Sequence, residues 1–218
     1  MSAGVDPLEL AGSRAVVYRV LASSLLTPTD ERLSRLATAV PELRSMTEPL
    51  RGMAFHGAWT AFLDRLSMLT PEEAELVQHD HTTLFVSGAR GSCPPYESAH
   101  LGPEVDVGLV AAAVDTAYRT AGFVVDADGE APDHAAVELD FLSALCSREA
   151  RAKDPGEGER WRALQRSFLG AHPLRWFPAL SAAVHRTRPG SVLAETVEVA
   201  CRFTEHDLAL LEALSANG

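Results

Sequence analysis

The stretch from Asp128 to Cys146 constrains the fold more than any other part of the chain. Asp128 and Gly129 break the chain, and Pro132 brings a φ suited to a first helical turn. From there Ala135, Val137, Phe141, Leu142, Leu145 and Cys146 recur at helical spacing. The spacing predicts a helix with a buried face whose first turns carry Asp133, His134 and Glu138. His134 and Glu138 are four apart and would share a face. Three ionisable groups at the mouth of an apolar helix demand partners, because burying them bare is costly.

Helical spacing, punctuated by Gly and Pro, extends through the chain. Helices are expected over 7–26, from Thr29 or Asp30 through Val40, and over 54–68, 103–122, 157–169 and 191–214, with a short one after Pro173. Pro41 and Pro49 would bracket a separate short piece. Thr70-Pro71-Glu72-Glu73 reads as a capping box opening a helix with Leu76, Val77, Leu84 and Phe85 on one stripe. Asp80 and His81 fall in the gap of that stripe and are expected inside, as satisfied polar groups. Cys93-Pro94-Pro95 favours an extended path leading into Tyr96-Glu97-Ser98. No stretch alternates like a strand. The expectation is therefore an all-α globular bundle of about nine or ten helices. It would be one domain, 1–218, with an N-terminal half 1–121, a hinge 122–133 and a C-terminal half 134–218.

The net charge of −11 argues against nucleic acid as a partner and suits a basic one, such as an arginine-bearing peptide. Cys93, Cys146 and Cys201 are far apart with no CxxC, which excludes a disulfide framework and a zinc knuckle and fits a reducing cytoplasm. Cys146 and Cys201 read as small core residues. The first residues lack the apolar run of a signal peptide, and nothing approaches the ~20 apolar residues of a membrane span. Phosphate-cradling loops, HExxH, GxSxG and the pair of ExxH motifs that a di-iron bundle needs are all missing, so no catalytic residue, metal or cofactor is expected. A binding protein remains, in which the proline-stiffened loop, the Asp133–His134 pair and exposed aromatics line a groove for a basic, partly apolar peptide. Two alternatives stand beside it. One is a helical metalloenzyme using His134, Glu138 and His81; the other is a generic helical peptide-binding adapter.

Leu84-Phe85-Val86, Pro94-Pro95-Tyr96-Glu97-Ser98, Glu130-Ala131-Pro132-Asp133-His134 with Glu138, and then Phe168, His172 and Trp176 follow in an order that resembles the TorD/DmsD/NarJ family. Its members are cytoplasmic chaperones dedicated to molybdopterin oxidoreductases. The resemblance covers most of the chain and implies an all-helical, TorD-like fold, monomeric or a domain-swapped dimer. The implied partner is the catalytic subunit of a molybdopterin oxidoreductase, held through its twin-arginine leader or another segment until its cofactor is in place. It also implies client-binding roles for Asp133 and His134, with Glu130, Pro132 and Glu138 around them. Tyr96, Glu97 and Ser98 match the loop beside the groove, Leu84 and Phe85 match its apolar wall, and Trp176 completes that wall. The family pattern is Glu-Pro-x-Asp-His, whereas here the proline stands one place later, at Pro132.

Overall fold

Side-chain caps and prolines set where the helices begin. Asp6, Thr29, Thr70, Asp106 and Asp154 each accept a backbone N–H with a side-chain oxygen, and Thr70 and Glu73 form the reciprocal capping box. The computed structural model describes residues 6–124 and 129–216; Asp126 and Asp128 of the expected hinge lie outside them. Among the described residues there are ten α-helices: α1 (Pro7–Leu25), α2 (Asp30–Met46), α3 (His56–Ser67), α4 (Pro71–His81), α5 (Glu97–His100), α6 (Val107–Thr120), α7 (Ala135–Glu149), α8 (Pro155–Ala171), α9 (Pro173–Thr187) and α10 (Val192–Ala216). The only extended pairing among these residues is one isolated bridge, Tyr96 with His134. The all-α expectation holds, and none of these helices is long and apolar enough to cross a membrane.

Several boundaries differ from the sequence reading. Pro41 lies inside α2, because the buried stripe Leu33, Leu36, Val40 and Leu43 continues across it and offsets the one lost backbone bond. α6 starts at Val107, where Asp106 caps Gly108 and Leu109, and it ends at Thr120, two residues before Gly122 turns left-handed with φ +82°. Gly170 lies within α8, which ends one residue later. Cys201 is half-buried, whereas Cys146 is fully inside.

At its C-terminal end α4 widens into a π turn over Thr82–Val86, where the Ser87 amide reaches back to the Thr82 carbonyl at 2.9 Å. The extra residue shifts the helical register. Leu84 and Phe85 therefore turn inward while Leu76, expected on the same stripe, stays exposed. Asp80 and His81 do not pair. Asp80 accepts from Arg188 Nε at 2.9 Å, and the buried His81 ring bonds the Leu25 backbone.

α7 is the central helix, buried on most of its circumference, and α1 packs along it more extensively than any other pair of helices. α1 comes from the expected N-terminal half and α7 from the C-terminal half, and both contribute to one hydrophobic cluster. Arg14 stands fully buried within this packing. Its guanidinium bonds Asp207 of α10, Gln165 of α8 and, at 2.9 Å, Glu149 of α7. Tyr18 donates to Asp207 at 2.6 Å, and Gln165 donates to Glu149 at 2.9 Å. One cation thus ties four helices together, with its carboxylates satisfied from several sides.

Removing that cation strands the buried Asp207 carboxylate, while Glu149 keeps only Arg162, at 3.2 Å, as a cationic partner. Arg14→Ala should cost about 3–5 kcal/mol in denaturant-unfolding free energy. A buried carboxylate left without its cation is penalised for carrying charge, so the cost should grow as pH rises through the acidic range towards 8. An equal cost at pH 5 and pH 8 would contradict the ionic reading.

Candidate functional site

Two proline-containing segments meet before α5 and α7. Prolines carry no amide N–H, so Pro94, Pro95 and Pro132 cannot extend a ladder, and the segments share only the bridge at Tyr96 and His134. The Ala135 amide donates to the Pro95 carbonyl at 2.8 Å, and the Glu97 amide donates to the Asp133 carbonyl at 2.9 Å. Asp133 Oδ2 accepts the Ser98 amide at 3.1 Å, at the start of α5. His134 Nδ1 accepts the Ala136 amide at 3.1 Å and caps α7. Adjacent residues therefore begin two different helices.

This geometry corrects two expectations. α7 starts at Ala135, so Pro132 lies before the helix, where its carbonyl accepts the Tyr118 hydroxyl at 2.7 Å. His134 has extended backbone, with φ −76° and ψ 137°, so the helical four-residue spacing to Glu138 does not apply. Glu138 instead meets Trp176 Nε1 at 3.2 Å, whereas His134 meets the Tyr96 ring edge-on at 5.0 Å. Among the described residues no group of three or more His, Cys, Asp or Glu side chains could hold a metal ion.

A third correction concerns exposure. Leu84, Phe85, Glu97, Ser98, Asp133, His134, Glu138 and Trp176 are all buried, and Glu138 and Trp176 are fully inaccessible at 0%. The apolar members belong to the hydrophobic cluster, so they are wall material from within rather than an open groove. Trp176 is held between the stacked His100 ring, 5.6 Å away, and Phe177. Glu97 reaches His172 Nδ1 at 2.8 Å, which requires the proton on that nitrogen. It also lies beside Glu138. Burial, and then the Glu97 charge, hold the Glu138 carboxyl well above the usual range. Glu138 Oε1 faces no N–H or O–H donor, which fits a protonated Glu138 that donates its own proton to Glu97.

Tyr96, Glu130 and Pro132 are the half-buried members and form the edge that solvent reaches. Tyr96 donates to Glu130 Oε2 at 2.7 Å, and burial with Glu130 beside it pushes its hydroxyl up to about 12. Burial pushes His134 down, nearby His81 adds to this, and Glu130 opposes it. Nδ1 of His134 accepts a bond, so the ring is neutral in this arrangement. His81 is lowered by burial too. The charge presented at this edge is therefore the Glu130 carboxylate.

The sequence reading passed over His100 and Tyr118 as site residues, and used His172 only as part of a pattern. Arg175 was also missed; it is 56% exposed and its Nη1 lies 3.9 Å from Glu97. Phe168, His172 and Trp176 at four-residue intervals were the available signal for that wall, although His172 sits in the break between α8 and α9.

Glu138 yields a signed test. Its raised folded-state pKa contributes stability below the unfolded value of about 4.3, and that contribution is lost as pH rises towards the folded value. Glu138→Gln keeps an acceptor for Trp176 and a donor for Glu97. Its stability relative to wild type should rise by at least about 1 kcal/mol between pH 4.5 and pH 8 in denaturant titrations. A difference independent of pH would contradict a buried protonated carboxyl.

Residues 49–182, which include the whole of this site, match the family model for the nitrate reductase delta subunit. A chaperone protein TorD of Vibrio atlanticus (strain LGP32) is 29% identical over 181 residues, covering 79% of this chain and 82% of that protein. A selenate reductase assembly chaperone protein of Thauera selenatis is 36% identical over 77 residues, 33% of this chain and 40% of its own. A perchlorate reductase assembly chaperone protein of Dechloromonas aromatica (strain RCB) is 26% identical over 136 residues, 59% of this chain and 60% of its own. A crystal structure described as that of a redox enzyme maturation protein from Archaeoglobus fulgidus has the same fold, with a TM-score of 0.57 at 19% identity over 88% of this chain and 93% of that one. This chain belongs to the nitrate reductase delta subunit family.

Proposed function

We propose that this protein is a cytoplasmic maturation chaperone for a molybdopterin-containing oxidoreductase. It binds the apo catalytic subunit, its twin-arginine leader peptide, or both, assists cofactor insertion, checks export, and transforms nothing itself. The observation that carries this reading is the family match, whose span contains the Asp133–His134 seam. The relatives' names, TorD chaperone and selenate and perchlorate reductase assembly chaperones, point the same way.

The seam suggests how the residues divide the work. Glu130 and Tyr96 offer a carboxylate and an aromatic face at the surface of a chain with net charge −11, a setting that attracts paired guanidinium groups. Pro132 keeps the strip beside them extended. Ser98, Asp133, His134, Glu97, Glu138 and Trp176 act from behind, fixing the strip's shape, while Leu84 and Phe85 support it from the core. The 122–133 connector is the joint at which the two halves adjust to a client or exchange between copies.

Binding of a fluorescent twin-arginine leader to the full chain, followed by anisotropy, tests this. Affinity should fall as salt rises, and Glu130→Gln should weaken it by about ten- to a hundredfold, the worth of one charged hydrogen bond. Replacing the two arginines by lysines should weaken it similarly, because lysine lacks the bidentate fork. If neither the leader nor the apo subunit bound, the reading would fall.

A further inference from the structure

Away from the seam, a trough runs beside α1, walled by α2 and α7. Three adjoining clefts form it, of about 490, 450 and 360 Å³, and all three share Arg19. Val16, Val20, Leu36, Leu43 and Val137 supply an apolar floor. Along α1 the trough extends from Gly12 to Leu26, roughly 21 Å at the α-helical rise.

Its rim reverses the sign of the molecule. Arg19, Arg32, Arg35, Arg148 and Arg151 border it, against Glu42 and Asp140, on a chain with 30 acidic and 19 basic residues. The Arg19–Asp140 pair, at 3.0 Å, and the Arg35–Glu31 pair, at 3.8 Å, are largely exposed and contribute little that a competing carboxylate could not replace. A cationic leader would be repelled here. Nucleic acid is disfavoured by the overall charge and by the aliphatic floor.

We propose that this trough docks an amphipathic helix of about four turns, with aliphatic residues on one face and Asp or Glu along both flanks. The helix is a segment of the client's folded body, distinct from its leader. The client assignment rests on the chaperone reading above, whereas the chemistry of the occupant rests on the trough alone. One chaperone would then hold its client at two seats of opposite charge, a negative edge at Glu130 and a positive trough along α1.

The probe is a labelled synthetic peptide of about sixteen residues, with Leu at helical i, i+3, i+4 and i+7 positions and Glu on the flanks, titrated against the full chain at low salt. It should bind, and a version with Lys in place of Glu should not. The double substitution Arg32→Glu and Arg35→Glu should weaken binding by about tenfold. Gly12→Trp should also weaken it, because Gly12 lines the trough and a Cβ there meets nothing within 4 Å. A probe that does not bind, or that binds these variants like wild type, overturns the proposal. The twin-arginine leader, added to the same samples, should bind the arginine-reversed variant as it binds wild type. If the leader fails on wild type while the acidic probe still binds, the trough stands and the leader reading falls.

Discussion

A buried carboxylate accepting a backbone amide organises this molecule: Asp133, whose side chain holds the Ser98 amide and whose carbonyl holds the Glu97 amide. These bonds close the seam between two segments whose prolines cannot pair in the ordinary way. The closed seam places His134 as the cap of α7 and puts Glu97 next to Glu138 and His172. A charged acceptor on an amide is worth more than a neutral one, and more again where water is excluded. With Asp133 in place, the central helix starts at a fixed point relative to α5 and α9.

Two buried polar clusters flank α7 with opposite logic. Near its C-terminal end Glu149 joins the arginine-centred cluster, in which opposite charges neutralise each other across four helices. Near its start, Glu97 and Glu138 lie together, and burial with the Glu97 charge holds the Glu138 carboxyl well above its usual range.

Helix existence was legible in the sequence because apolar spacing and capping chemistry agree: Thr29 and Thr70 cap where their patterns say, and Pro173 begins a helix. Boundaries were lost where tertiary packing outweighed local signals. Pro41 is carried within a helix by its buried stripe, and the π turn after His81 displaces Leu76 from the face that periodicity gave it. At the site, the right stretches were legible as a family pattern, but their depth was not. Spacing cannot tell a carboxylate at a groove from one sealed behind it, and Glu97, Asp133 and Glu138 proved to be sealed. Arg14, alone in an early helix, gave no sign that Asp207 lies against it, since such a contact is set only by how the helices pack.

The central claim is that the leader seats on the strip held by the Asp133 seam. Amide hydrogen exchange of the full chain, with and without a twin-arginine leader, tests it most directly. The account requires slowed exchange in peptides covering 94–100 and 129–136, with α1 and α2 unchanged. Protection confined to other segments, with those two indifferent to the leader, would contradict it.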